Sequence, residues 1–184
     1  MKKTTTNIHL VLCLLFLGIN NLQSQNISRS DEDAIYKNFK TEHVWDAKVT
    51  IASPISLGDS KYGGRNIIPI TGGTFKGPKI SGEVLPYGAD WQLARPDGDI
   101  EFNARYLLKT TDGFTIQVIN KALMHSETID KKTDTYIKSV IDLEAPKGSP
   151  YAYLNHAIFL GTLTIPTLKT DETPYVIIGV YKVL

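Results

Sequence analysis

In the stretch "GEVLPYGADWQLARPDG", Gly82 to Gly98, an aspartate, Asp90, stands beside Trp91 between two glycine turns. A carboxylate withdrawn from water can take a proton from a substrate as general base, and an arginine nearby can steady the oxyanion that forms. Arg105 or Arg65 supplies the guanidinium fork that suits such a role, in a chain that otherwise prefers lysine. Asp90 and Arg105 are therefore the candidate catalytic residues. The plainer alternative is as concrete. Asp90 caps the "PYG" turn through backbone N–H groups, and Arg105 pairs on the surface with Glu101 or Glu83 for little energy.

A neutral ligand in an apolar interior is oriented by aromatic faces, tyrosine hydroxyls and asparagine amides. Arg65, Trp91, Asn120, Tyr136, Tyr153 and Asn155 are the candidate ligand-binding residues, with Tyr181 as a further lining position. Each has an ordinary reading beside this one: tryptophan as core, tyrosines at rims, Asn155 in a bent strand. His43, His125 and His156 show no metal-ligand spacing, so no metal site is expected. No nucleophile elbow, P-loop or dinucleotide fingerprint is present, and no cofactor is expected.

The elements that must position these residues are strands. Beyond Glu42 the chain runs in short β-branched and aromatic segments punctuated by Gly, Pro, Asp and Asn. The pattern predicts strands at 43–52, 66–70, 79–85, 89–94, 100–110, 115–122, 135–143, 151–164 and 175–183. "RPDG" at Arg95 to Gly98 and "TTDG" at Thr110 to Gly113 predict tight antiparallel hairpins. Ser126 to Asp134 and Glu144 to Pro150 are polar and predict surface loops. Sequential hairpins without helical periodicity predict an all-β fold: a single antiparallel β-barrel meander, closed because closure removes exposed edges.

Alternation sets the faces. Asp90, Gln92 and Ala94 share one, and Ala89, Trp91 and Leu93 the other. In the segment 100–110, Ile100, Phe102, Ala104, Tyr106 and Leu108 form the evident core face, opposite Glu101, Asn103 and Arg105. If the barrel interior takes the polar face of the Asp90 strand, Asp90 and Gln92 point into a cavity.

The first 24 residues, with Lys2 and Lys3 ahead of an apolar run from Ile8 to Ile19, predict a signal peptide cleaved near Ser24. The run is too short to span a bilayer, so no stable membrane anchor is expected. Residues 25–41 predict an arm or short helix, and 42–184 the barrel domain. Cys13 is the one cysteine of the 184 residues and falls within the leader, which excludes disulfides and thiol chemistry from the secreted or periplasmic remainder. A formal charge of +1 without a basic stripe speaks against nucleic acid.

Taken together, Gly64 and Arg65, "GGTFKGP" at Gly72 to Pro78, "GEVLPYGADWQ" at Gly82 to Gln92, "ARY" at Ala104 to Tyr106, Asp112 with Gly113, and Leu154 with Asn155 resemble domain of unknown function family 3237. The match runs in order from about Glu42 to the C-terminus. Tyr153 and "NKAL" at Asn120 to Leu123 depart from the family pattern. The resemblance implies a lipocalin-like or allene-oxide-cyclase-like barrel, open to homo-oligomer formation, and implies no agreed activity.

Three functions are compatible with these residues. The first is a secreted or periplasmic barrel holding a small organic molecule. The second is a cofactor-independent isomerase, cyclase or lyase with Asp90 as base. The third is a structural or interaction scaffold.

Overall fold

The computed structural model describes residues 40–184. The expected leader and most of the expected arm lie outside them. Ten strands form one antiparallel sheet: β1 (Thr41–Ile51), β2 (Ile55–Ser60), β3 (Gly63–Lys76), β4 (Ser81–Val84), β5 (Gly88–Ala94), β6 (Ile100–Thr110), β7 (Thr115–Ile129), β8 (Lys132–Glu144), β9 (Phe159–Thr164) and β10 (Tyr175–Val183). β1 pairs with both β10 and β3, which closes the sheet into a barrel. β4 and β5 share one place between β3 and β6, so eight positions go round the wall. The expected all-β barrel is the observed fold.

The long strand β3 serves two partners along each edge because it bends. Gly72 and Gly73 have φ of +139° and +136°, and a Cβ on Gly73 would lie 2.0 Å from the Lys48 carbonyl oxygen. Only glycine allows that approach and that backbone. On one side of the bend β3 pairs with β2 and β5, on the other with β1 and β4.

Both predicted hairpins form. Gly98 and Gly113 take positive φ and donate to Arg95 and Thr110. Ser126 to Asp134 differs from expectation: β7 and β8 continue through it as a ladder, joined at Asp130 and Lys131, whose φ are 50° and 64°. Two consecutive left-handed residues make the two-residue turn that matches strand twist. Ser126 with Thr135, at 3.1 Å, and Thr128 with Thr133, at 3.0 Å, link hydroxyls across the arm. Both faces of the arm meet water, so no apolar alternation marked it in the sequence. The predicted strand 151–164 is also divided. A 3₁₀ turn at Ala152–His156 precedes β9, and β2 was not anticipated.

The interior is filled at one end. Trp45, Leu108, Ile116, Leu154, Phe159 and Val180 are fully buried there, and Trp45 meets Phe75 edge-on at 5.6 Å between ring centroids. The 3₁₀ turn plugs this end with Leu154. Asn155 fastens the turn, its Oδ1 accepting from Ala145 N at 2.8 Å and its Nδ2 donating to the same residue's carbonyl at 2.9 Å.

Candidate functional site

The opposite end is hollow. A cavity of about 350 Å³ lies between the walls, lined by Val49, Ile51, Ile68, Ile70, Phe102, Ala104, Ala122, Leu163, Val176 and Ile178. Ala52 to Pro54, Ile165 and Pro174 form its mouth. The rim is tied by Ile51 N to the Pro174 carbonyl and Ala52 N to the Pro69 carbonyl, each at 2.9 Å. The polar groups that reach the cavity are Asp90, Gln92, Tyr106 and Asn120.

Their placement follows from register. Asp90 of β5 stands opposite Ala104 of β6, and Ala104 opposite Asn120 of β7. Asp90 and Asn120 are therefore two strands apart, roughly 10 Å between backbones, with an alanine methyl between them. Tyr106 lies two residues along the same face as Ala104. Gly88 makes room beside it, since a Cβ there would come within 2.5 Å of the Tyr106 Cβ.

Asp90 does not cap the "PYG" turn. Its Oδ2 accepts from Gln92 Nε2 and its Oδ1 from the Asn103 backbone N–H, both at 2.9 Å. Cross-strand pairing between β5 and β6 skips Trp91 and Gln92, and the carboxylate occupies the gap. Burial raises the pKa of Asp90, and the bonds from Gln92 and Asn103 oppose that rise. The Tyr106 hydroxyl, pushed up by burial alone, is a neutral donor at all ordinary pH values.

Two of these groups are unpaired. Tyr106 Oη and Asn120 Oδ1 are buried without a hydrogen-bond partner, their residues 2% and 7% exposed. A buried hydroxyl or amide left unpaired costs about 1–3 kcal/mol. Both line an open space, where a bound molecule can satisfy them.

The remaining candidates lie elsewhere. Arg105 is exposed on the outside of the barrel, as alternation from buried Ala104 and Tyr106 requires. The structure does not bring it to Asp90, and it cannot steady charge in the cavity. Arg65, Trp91 and Tyr136 line a shallow groove on the outer face with Leu93, Arg95, Glu101, Lys121 and Lys138. Tyr153 borders a small crevice with Glu42, His43 and Lys79. Asn155 serves the packed end. Tyr181 lies against His43 at 5.5 Å between rings. Of the sequence candidates, the cavity brings together Asp90 and Asn120, and the outer groove Arg65, Trp91 and Tyr136.

Alternation puts Gln92 on the Asp90 face and Tyr106 on a core face, and marks neither as a site residue. The available signal was a hydroxyl-bearing aromatic next to a small Ala104 on a core face. Large beside small leaves space, and the hydroxyl needs a partner. Among the described residues no group of three His, Cys, Asp or Glu could hold a metal ion.

Fold and site together define an antiparallel barrel protein, packed at one end and carrying a polar-tipped cavity at the other. The chain belongs to the family described as "Protein of unknown function (DUF3237)", which matches residues 39–183. A protein of the UPF0311 group from Rhodopseudomonas palustris is 34% identical over 157 residues, covering 79% of this chain and 97% of its own. Its crystal structure superposes with a TM-score of 0.67. A β-barrel-like protein from Acinetobacter baumannii, 31% identical, covers 79% of this chain and 96% of its own with a TM-score of 0.69. An enzyme from Penicillium herquei, 22% identical with a TM-score of 0.59 and covering 79% of this chain and 95% of its own, shares the fold.

Proposed function

We propose that this protein binds a small, mainly apolar organic molecule in the barrel cavity, and that it does so in the periplasm or outside the cell. The observation that carries the reading is the pair of orphaned polar atoms, Tyr106 Oη and Asn120 Oδ1, facing a cavity whose other walls are aliphatic. A space of about 350 Å³ corresponds to roughly a dozen waters at ~30 Å³ each, or a bicyclic organic molecule. The leader-like first 24 residues, and a cysteine confined to them, support the compartment.

Titration with 2-naphthol, followed by its fluorescence and by the methyl resonances of Ala104 and Ala122, tests binding. Saturable binding that perturbs those methyls, and that vanishes when Ala104→Leu fills the space in a folded variant, is the expected result. Equal binding by the filled variant counts against the cavity.

A second reading is supported by one specific arrangement. Asp90 is a half-buried carboxylate that shares a cavity with the neutral Tyr106 hydroxyl. Asp90 would accept a substrate proton and Tyr106, in the place first considered for Arg105, would donate to the developing oxyanion. Turnover of a substrate that survives Asp90→Asn would remove this reading and leave binding untouched.

A further inference from the structure

The outer groove and the inner cavity differ in the charged side chains that line them. The groove is rimmed by Arg65, Arg95, Lys121 and Lys138. None of the cavity's lining residues among those described is cationic, and its single carboxylate is Asp90. A ligand carboxylate entering from the mouth would lose its hydration and meet no counter-charge, a cost of several kcal/mol for an unpaired ion. It would also approach Asp90, whose oxygens are already set by Gln92 and the Asn103 N–H and which cannot turn away without leaving those donors bare.

What the cavity offers is complementary to a different chemistry. Tyr106 Oη presents a hydrogen to an acceptor, and Asn120 Oδ1 presents a lone pair to a donor. Asp90 has lone pairs left over for a donor as well. Resting on the binding function above, we propose that the ligand is an uncharged molecule with a carbonyl-type acceptor and a hydroxyl- or amide-type donor on an apolar skeleton, and that Asp90 is the specificity residue that rejects carboxylates. Discrimination of this kind is a difference of two affinities and comes as much from the unfavourable contact as from the favourable one.

Two probes of equal non-hydrogen atom count separate the terms: 1-(6-hydroxynaphthalen-2-yl)ethanone, uncharged, and 6-hydroxy-2-naphthoate, its carboxylate analogue. Affinities are measured at neutral pH by fluorescence and by methyl shifts of Ala104 and Ala122. The ketone is expected to bind at least tenfold more tightly than the carboxylate. In Asp90→Asn the gap is expected to narrow by at least about threefold without closing, because the repulsion from Asp90 is removed while the cost of burying a carboxylate without a counter-charge remains. Tyr106→Phe is expected to weaken the ketone several-fold and leave the gap in place.

Equal binding of the two probes by the native protein, or an undiminished gap in Asp90→Asn, overturns the proposed selectivity while cavity binding stands. Failure of both probes, and of 2-naphthol, to perturb the cavity methyls overturns the binding function and the selectivity with it. Because Asp90→Asn keeps an acceptor for the Asn103 N–H, and Gln92 can reverse its amide, the variant is expected to fold. A matching circular dichroism spectrum checks this.

Discussion

The two ends of the barrel are walled by the same strands and differ in what those strands point inward. At the packed end β1 contributes Trp45, β3 Phe75, β6 Leu108 and β9 Phe159, and the 3₁₀ turn adds Leu154 as a stopper. At the hollow end β6 contributes Ala104 and β7 Ala122, and the rim is loop backbone ending in Pro54 and Pro174. Fully buried bulk supplies dispersion and removes apolar area from water; the hollow end forgoes part of both. It also retains polar atoms without partners. Trp45 Nε1 at the packed end is also without a partner, but Trp45 does not line the cavity, so the orphan is a local cost there and a binding group here.

The contrast is most strongly tested by making one substitution at each end. Leu108→Ala, at a fully buried site, should cost about 3–5 kcal/mol, as expected when a close-packed core is left with a new void. Leu163→Ala, on the cavity wall, should cost about 1–2 kcal/mol, because its side chain already lacks neighbours on one side. Urea denaturation of both variants gives the comparison. Similar losses would mean that the hollow end is as well packed as the filled one.

The reverse substitution gives the next largest effect. Ala47→Leu places three extra carbons where Ala47 has no exposed surface and should destabilise by about 1–3 kcal/mol. Ala104→Leu places them in open space and should change stability by less than about 1 kcal/mol, while abolishing binding of 2-naphthol. An Ala104→Leu variant as unstable as Ala47→Leu would show that the cavity is not available to a side chain, and so not to a ligand.

Which end would be hollow could not be read from the sequence, although much of the wall could. Alternation placed Ala104 and Tyr106 inside and Arg105 outside, and "RPDG" and "TTDG" marked their hairpins, because those signals are local. Alternation does not fix the direction of Asp90, since a polar face can turn to solvent or to a cavity and only the closed sheet decides. The grouping of Asp90, Ala104 and Asn120 in one row depends on pairing between β5, β6 and β7, a non-local register. The interrupted ladder at Trp91 and Gln92, which explains what Asp90 is bonded to, leaves no mark in composition. Tyr136 and Trp91 were misleading for a related reason: aromatics on an outward face look like ligand platforms until the wall is seen from both sides.

Asp90 sharpens the hollow end in a smaller way. Asp90→Ala leaves the Asn103 N–H without its acceptor and should cost about 1–3 kcal/mol. Asp90→Asn preserves that bond and should cost less. Burial raises the Asp90 pKa in the folded chain above its ordinary value of 3.8. Its contribution to stability is thus fully present below that value and declines as pH rises through the raised one. The stability of Asp90→Asn relative to the native protein should accordingly improve between pH 3.5 and 7. Guanidinium titrations at the two pH values measure it, and a difference that moves the other way would mean that the two hydrogen bonds outweigh burial.

The smallest effect lies outside the hollow end, where the β7–β8 arm meets the β5–β6 hairpin. His125 Nδ1 stands 2.6 Å from Asp99 Oδ1. That hydrogen bond, followed by the charge of Asp99 and more weakly of Glu127 and Asp97, raises the His125 pKa above 6.5. The tie therefore holds fully below pH 6.5 and is lost as pH climbs through the raised value. Since both side chains meet water, global stability should hardly change. Amide exchange along Ser126 to Ile129 should quicken with pH beyond its intrinsic increase, and the excess should disappear in Asp99→Asn. The His125 ring resonances in that variant should titrate nearer 6.5. An unchanged midpoint in Asp99→Asn would detach the arm from the hairpin and leave the packed and hollow ends as the two features of the barrel that differ in strength.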